Sequence, residues 1–143
     1  MSGRPWTMAG AVRRAIVAHA REESPRECCG LLLGRQRHVA FAYRMTNVAR
    51  GTTRFRVPDS DHIALRRVLR QFHPPVSILG VYHSHPLGAA WPSETDVAEA
   101  HYPAWVHLIV GLAPRLSIRA FRIDGDDVER VPLRLVSSRV GAR

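Results

Sequence analysis

The chain has 143 residues, of which 45% are hydrophobic and 23% are charged. This length and composition predict one globular domain over 1–143, with its core at about 8–135, and leave too little chain for a second domain. The net charge of +9 comes from arginine alone, because the chain has no lysine. The arginines are spread along the chain and accompany no nucleic-acid motif, so nucleic acid is not an expected partner.

The sequence also predicts that the chain does not span a membrane. No apolar run approaches the roughly 18 to 20 residues that a membrane-spanning helix needs, and Arg13 and Arg14 interrupt the apolar stretch near the N-terminus. The two cysteines, Cys28 and Cys29, are adjacent, and a disulfide between neighbours is strained. We therefore expect reduced thiols in a cytoplasmic protein with no membrane partner.

The first half of the chain predicts a helix followed by strands. Residues 1–8 are expected to form a loose start or a short edge strand. Apolar residues at helical spacing predict an amphipathic helix over Ala9–Arg21. Two β-branched and apolar runs, Cys29–Arg35 and Val39–Met45, predict strands, and a short strand is expected at Arg54–Val57.

The second half alternates helices and strands. A helix is predicted from 58–60 to just before Pro74, and its apolar face comprises Ile63, Leu65, Val68, Leu69 and Phe72. A strand at 76–82, a helix at Ser93–Tyr102 and a strand at Trp105–Leu112 are expected next. The last predicted element is a hairpin of Leu116–Ile123 with Val128–Val136 around Asp124-Gly125. Interleaved helices and strands with hairpin connections predict an α/β fold, in which a mixed central β-sheet is flanked by helices.

Polar residues of one chemical kind follow the strand at 76–82. His83 and His85 are two positions apart, so on a strand their side chains leave the same face. Asp96 comes eleven residues after His85. A catalytic zinc ion is typically bound by three protein ligands, such as two imidazoles and a carboxylate, and its fourth position is occupied by water. Fe²⁺ oxygenases use a similar trio, so the ligands alone leave the metal open.

Two further residues suit the chemistry of such a site. Ser93 lies three residues before Asp96, close enough to donate a hydrogen bond to an oxyanion formed beside the metal. Glu27 stands at the entrance of the strand Cys29–Arg35, where a carboxylate could move the proton of a metal-bound water. Each residue also has a plainer interpretation: two unrelated histidines on a strand, an N-cap serine, and a solvated glutamate.

These residues together resemble the JAMM (MPN+) metalloproteases. The match comprises Glu27, His83-Ser84-His85-Pro86, seven residues between His85 and Ser93, and Ser93-x-x-Asp96, with Cys-Gly-Leu-Leu after the glutamate. It spans about Met8 to Leu135. The resemblance implies a cytidine-deaminase-like α/β architecture and one Zn²⁺ per chain. It implies His83, His85 and Asp96 as the zinc ligands, Glu27 as the general acid and base, and Ser93 as the oxyanion donor.

The resemblance also implies a class of substrate. Short bacterial proteins of this Mec-like type look like hydrolases that cut an amide bond after the C-terminal Gly-Gly of a ubiquitin-like β-grasp or sulfur-carrier protein, releasing for example cysteine. A desampylase-like isopeptidase, which deconjugates a lysine-linked protein, is the alternative. Four residues are candidate substrate contacts: Asn47, Arg54, Arg56 and Trp91. The arginines suit a substrate carboxylate or a solvated edge, and Trp91 suits a substrate backbone or simple packing.

Three other classes of protein are alternatives to the hydrolase. A non-haem iron enzyme would commonly need a cosubstrate site, for which the sequence gives no sign. A zinc deaminase would need a Pro-Cys-x-x-Cys pair, which is absent from the sequence. A non-catalytic interaction module would keep its binding when the metal is removed. The sequence leaves a homodimer possible.

Overall fold

The computed structural model describes residues 4–47 and 59–137, and the side chains of 59–62 are not part of that description. The predicted strand Arg54–Val57 therefore lies outside the described residues. In chain order the described elements are β1 (Trp6–Ala9), α1 (Gly10–Glu23), β2 (Cys29–Arg35), β3 (His38–Met45), α2 (Asp59–Leu69), β4 (Ser77–His85), α3 (Glu94–Ala98), β5 (Val106–Gly111), β6 (Ser117–Asp124), β7 (Asp127–Val131) and β8 (Leu133–Val136).

The described strands form one eight-stranded sheet in the order β7-β6-β5-β4-β2-β3-β1-β8. The pairs β4–β5, β1–β3 and β1–β8 are parallel, and the other neighbours are antiparallel. Helices pack on both faces of this sheet. The predicted α/β fold with a mixed central sheet is thereby confirmed.

The end of the chain departs from the predicted hairpin. The turn at Gly125, with a φ of 61°, joins β6 to β7 as predicted. The expected single strand Val128–Val136 is instead divided at Pro132, which has no N–H for a sheet ladder. β7 lies at one end of the sheet and β8 at the other, so the sheet curls until its two ends meet at Pro132. β1 lies between β3 and β8, so the expectation of an edge strand there was wrong.

One face of the curled sheet is filled by α1. Val12, Ile16 and Ala20 repeat at helical spacing and are buried against Tyr82 on β4 and other apolar residues of the sheet. Gly30 on β2 makes room for that tyrosine, because a Cβ at position 30 would lie 2.1 Å from the ring. The helix predicted at Ala9–Arg21 is confirmed, but it begins one residue later, at Gly10, and ends two residues later, at Glu23.

The opposite face of β2 is covered by α2. Leu65 and Leu69 are buried there against Leu31 and Leu33. The rest of the predicted apolar face is a correction, because Ile63, Val68 and Phe72 are about half exposed. The helix ends at Leu69 and the chain then turns toward Pro74-Pro75, so Phe72 lies beyond it.

The third helix is shorter than predicted. Expected over Ser93–Tyr102, α3 spans only Glu94–Ala98, and the N–H of its C-cap residue Glu99 donates to the carbonyl of Thr95. Val97 and Ala100 contact a small apolar cluster that includes Phe121. In the described part of the chain, no helix has the length and apolar character to cross a membrane.

Candidate active site

Three side chains converge where β4 ends and α3 begins. Alternation along β4 sends Tyr82 toward α1 and sends His83 and His85 to the opposite face. The Nε2 atoms of His83 and His85 lie 3.2 Å apart, and Oδ2 of Asp96 lies 3.1 Å from each of them. The predicted convergence of these three residues is what the structure shows.

This triangle fits one small cation. Ligand atoms at the zinc distances of about 2.0–2.1 Å lie roughly 3.3 Å apart when they occupy three corners of a tetrahedron. The observed separations of 3.1–3.2 Å are close to that value. Side-chain exposure is 1% for His83, 7% for Asp96 and 16% for His85, so the triangle is largely buried.

The ring of His85 is oriented by its second nitrogen. Nδ1 lies 3.1 Å from the carbonyl oxygen of Ala89, which can only accept, so Nδ1 carries a proton and Nε2 is the nitrogen that faces Asp96. The segment that supplies this carbonyl is itself held against the end of β5. The N–H of Leu112 donates to the carbonyl of His85, and the N–H of Ala113 donates to that of Gly88.

Asp96 is fixed by the start of its own helix. The N–H of Ser93 donates to Oδ2 of Asp96 at 2.9 Å, and the N–H of Asp96 donates to Oγ of Ser93 at 3.0 Å, which together form a capping box. Ser93 uses its oxygen as an acceptor in this cap, so its hydroxyl proton can still be donated elsewhere. Ser93 is exposed. The N-cap and an oxyanion contact are therefore compatible for this residue.

The charges of the triangle are strongly coupled. Burial alone would raise the pKa of Asp96, but its hydrogen bonds with His83 and His85 outweigh burial and hold that pKa well below its usual value. Burial lowers the pKa of His83. Burial also acts to lower the pKa of His85, yet the contacts with Asp96 and Ala89 raise it overall. Asp96 is thus a carboxylate and His83 a neutral imidazole, which are the forms that bind a metal.

Glu27 faces the same pair of histidines from the entrance of β2. It is 3% exposed, and its Oε1 has no hydrogen-bond partner among the described residues. Burial raises the pKa of Glu27 to about 7. Its carboxylate lies within 4.8 Å of ligand atoms of both His83 and His85, a looser group than the triangle with Asp96. The shorter distances favour Asp96 as the third ligand and leave Glu27 beside the metal position.

Two contacts near Glu27 were not predicted from the sequence. Oγ of Ser84, between the two histidines, accepts the N–H of Cys28 at 2.8 Å. The side-chain amide of Asn47 donates to the carbonyl of Glu27 at 2.8 Å. Strand alternation predicts the face to which Ser84 points, but only the pairing of Cys29 with His83 reveals its partner. Asn47, predicted as a substrate contact, here touches the backbone of Glu27.

The structure describes only one of the three other candidate substrate residues. Trp91 is 55% exposed and sets its ring edge against Phe121, with 5.2 Å between the ring centroids. Arg54 and Arg56 lie outside the described residues. His107, on β5, is buried on the same face of the sheet as His83, and burial lowers the pKa of its imidazole to about 4.

The curled mixed sheet thus brings two histidines, an aspartate and a buried glutamate together where β4 ends. The chain belongs to the prokaryotic homologs of the JAB domain, a family that matches residues 10–124. The recognition of a JAMM domain from the sequence is thereby confirmed.

Named relatives agree with this family. The chain is 34% identical over 131 residues to the CysO-cysteine peptidase of Mycobacterium tuberculosis, covering 85% of each protein. It is 30% identical over 116 residues to the desampylase of Haloferax volcanii, covering 76% of this chain and 82% of that protein. A solution structure of a Desulfitobacterium hafniense protein superposes with a TM-score of 0.84 at 30% identity, covering 92% of this chain and 93% of that one. The chain is a hydrolase of the JAB family.

Proposed function

We propose that the protein is a Zn²⁺-dependent hydrolase that cuts the amide bond after the C-terminal Gly-Gly of a ubiquitin-like sulfur-carrier protein and releases an amino acid such as cysteine. One observation carries the proposal: the buried Glu27 carboxyl, with a pKa of about 7, faces the histidine pair of a metal-sized triangle. Metal-dependent hydrolysis of an amide needs a metal ion that activates water and a nearby group that accepts the proton of that water.

In this proposal His83, His85 and Asp96 hold one Zn²⁺ per chain. The bound ion would supply two things, an attacking water whose pKa falls from about 15.7 toward 7 and polarisation of the scissile carbonyl. The donor set supports zinc, since two imidazole nitrogens and one carboxylate oxygen are common ligands of catalytic zinc. The protein's part is to keep Asp96 ionised and His83 neutral, which the directions of their pKa shifts support.

Glu27 carries the proton in this mechanism. As a carboxylate it accepts the proton of the attacking water, and it then donates that proton to the departing amine. A pKa of about 7 supports both halves of the task, because a group with that pKa gains and loses a proton with little cost near neutral pH. The hydroxyl of Ser93 would donate to the oxyanion that forms at the scissile carbonyl.

The proposed substrate class is supported by the names of two relatives and by the small size of a Gly-Gly tail. The mycobacterial relative is named a CysO-cysteine peptidase, which supports release of cysteine from a carrier protein. The Haloferax relative is named a desampylase, and this observation favours a second candidate, cleavage of a lysine-linked isopeptide bond. Two glycines have no side chains and can reach a buried metal in an extended conformation. Trp91 would line the mouth of that path.

The test is a cleavage assay with a defined carrier. A β-grasp sulfur-carrier protein bearing cysteine on its terminal glycine is incubated with the purified zinc-loaded protein, and mass spectrometry follows loss of the cysteine. We expect cleavage that a chelator abolishes and that Zn²⁺ restores. Persistence of the full-length conjugate with the zinc-loaded protein would contradict the proposal.

Three control arms separate the alternatives. A carrier joined by its terminal glycine to the side chain of a lysine tests the isopeptidase candidate. Reconstitution with Fe²⁺ in place of Zn²⁺ tests the iron-dependent candidate. Binding of the carrier that survives chelation, with no cleavage under any condition, would identify an interaction module.

A further inference from the structure

The backbone next to Glu27 is held at both ends of a single peptide unit. The carbonyl of Glu27 accepts a hydrogen bond from Nδ2 of Asn47, and the N–H of Cys28 donates to Oγ of Ser84, each at 2.8 Å. Because that carbonyl and that N–H belong to the same planar amide, the two contacts fix the orientation of the whole plane. Side chains from the end of β3 and from β4 thus grip one peptide unit on opposite sides of β2.

This grip matters because one of the two carboxyl oxygens of Glu27 lacks a hydrogen bond among the described residues. Oε1 of Glu27 makes no hydrogen bond to any residue in the described part of the chain, although Glu27 is 3% exposed. The direction of its side chain is therefore set largely by where the backbone places Cα and Cβ. Loss of either hydrogen bond would let the Glu27–Cys28 segment shift relative to β4, which carries the histidine pair, and the carboxyl would move with the segment.

Ser84 links this plane to the metal ligands themselves. It is fully buried, stands between His83 and His85, and points to the other face of the sheet. Its own N–H also donates to the carbonyl of Cys28 at 3.2 Å. The residue that separates the two histidines therefore sets the position of the segment that carries the proton acceptor.

We infer that Ser84 and Asn47 are positioning residues that aim the Glu27 carboxyl at the metal by fixing the Glu27–Cys28 peptide plane. The inference rests on the proposed role of Glu27 in proton transfer. Neither residue needs to touch the substrate. A misplacement of about 1 Å in a reacting group can cost about 10²-fold in rate, so two neutral hydrogen bonds remote from the substrate can have a large catalytic effect.

The first experiment compares Ser84→Ala and Asn47→Ala with matched controls in the zinc-loaded protein. Ser84→Thr keeps the hydroxyl, and Ser77→Ala removes a hydroxyl from the exposed start of the same strand. We expect kcat to fall about 10- to 100-fold in the two alanine variants, with KM changed by less than about twofold and zinc content unchanged. Ser84→Thr should recover most of kcat, and Ser77→Ala should match the wild type.

A double-mutant cycle separates positioning from general structural support. In a Glu27→Gln background there is no proton acceptor to aim, so adding Ser84→Ala should cost less than about twofold in single-turnover rate. A further loss as large as in the wild-type background would overturn the inference. So would zinc loss that parallels the loss of kcat, or, for Asn47, a rise in KM with kcat unchanged.

A measurement without substrate keeps the test independent of the proposed function. Amide hydrogen exchange at Cys28, followed by NMR, should speed up at least about tenfold in Ser84→Ala and remain near wild type in Ser84→Thr. If the wild type cleaves none of the conjugates, the proposed function fails while this exchange still tests the grip. Unchanged exchange in Ser84→Ala would overturn the inference whatever the activity.

Discussion

The two halves of the site are built in opposite ways. His83, His85 and Asp96 contact one another at 3.1–3.2 Å, and the helix cap at Ser93 also holds Asp96. The Glu27 carboxyl is just as buried, yet its Oε1 has no hydrogen-bond partner among the described residues, and its position depends on contacts of its backbone.

The difference shows in the two carboxyl groups. Asp96 keeps a pKa well below its usual value because two histidines face it, whereas burial raises the pKa of Glu27 to about 7. A metal ligand must stay ionised at all working pH values, and a proton carrier must change state easily. The hydrogen bonds of Asp96 thus suit the metal ligand that we propose, and the burial of Glu27 suits the proton carrier that we propose.

The largest effect is expected from breaking the triangle. Asp96→Ala should abolish zinc binding and lower activity at least about 10⁴-fold, since the activated water is lost with the ion. Metal analysis after dialysis, together with the cleavage assay, measures both. Full zinc occupancy in this variant would show that Glu27, and not Asp96, is the third ligand.

Glu27→Gln tests the other half of the comparison. The amide cannot accept the proton, so activity should fall about 10³-fold while zinc content stays at one per chain. Steady-state cleavage and metal analysis of the same preparation provide the measurement. An active glutamine variant would remove Glu27 from the mechanism.

Ser93→Ala probes the residue that supports Asp96 and lies next to the metal position. Loss of one oxyanion donor should lower kcat about 10²-fold, at the low end of the usual range of 10²–10³. Loss of the helix cap should also lower the free energy of unfolding by about 1 kcal/mol, measurable by denaturant unfolding. If zinc were lost as well, the serine would act through Asp96 and not on the oxyanion.

The raised pKa of Glu27 predicts a pH-dependent stability in the metal-free protein. The folded state holds the proton up to a pKa of about 7, against 4.5 for the ordinary carboxyl. Ionisation therefore penalises the folded state progressively between pH 4.5 and 7, and the penalty is constant above pH 7. Relative to wild type, Glu27→Gln should be more stable by about 3 kcal/mol above pH 7 and by nearly nothing below pH 4.5. A difference that does not vary with pH, in denaturant unfolding, would contradict this origin of the pKa shift.

The smallest effect is expected at the mouth of the site. Trp91→Ala should raise KM by about three- to tenfold, which corresponds to the typical worth of one aromatic contact, with kcat and zinc content unchanged. The KM of Trp91→Phe should lie between the values for Trp91→Ala and the wild type, because a phenylalanine ring can still contact Phe121. A KM equal to wild type for the alanine variant would mean that Trp91 serves only to pack against Phe121.

The local parts of this site could be predicted from the sequence. Alternation along a strand follows from backbone geometry, so the convergence of His83 and His85 needed no knowledge of the fold. The bounds of β2 matched the prediction because its apolar run has clear ends. Ser93 and Asp96 predicted the start of α3. The sequence has no clear signal for its end, so the predicted helix was longer than the observed one.

Features that depend on distant pairing could not be predicted in the same way. The inner position of β1 requires β8, which follows the break at Pro132, to join it from the far end of the chain. The contact of Ser84 with Cys28 requires the register of β4 on β2. Such contacts have no local sequence signal, which is why the residues that hold Glu27 emerge only from the structure.

We propose that His83, His85 and Asp96 bind one zinc ion whose remaining position faces Glu27. Anomalous diffraction at the zinc edge, from crystals of the zinc-loaded protein, tests it most directly. We predict one anomalous peak per chain, about 2.0–2.2 Å from Nε2 of each histidine and from Oδ2 of Asp96, with the Glu27 carboxylate outside direct bonding distance. A peak bonded to Glu27 in place of Asp96, or no peak at this triangle, would contradict the account.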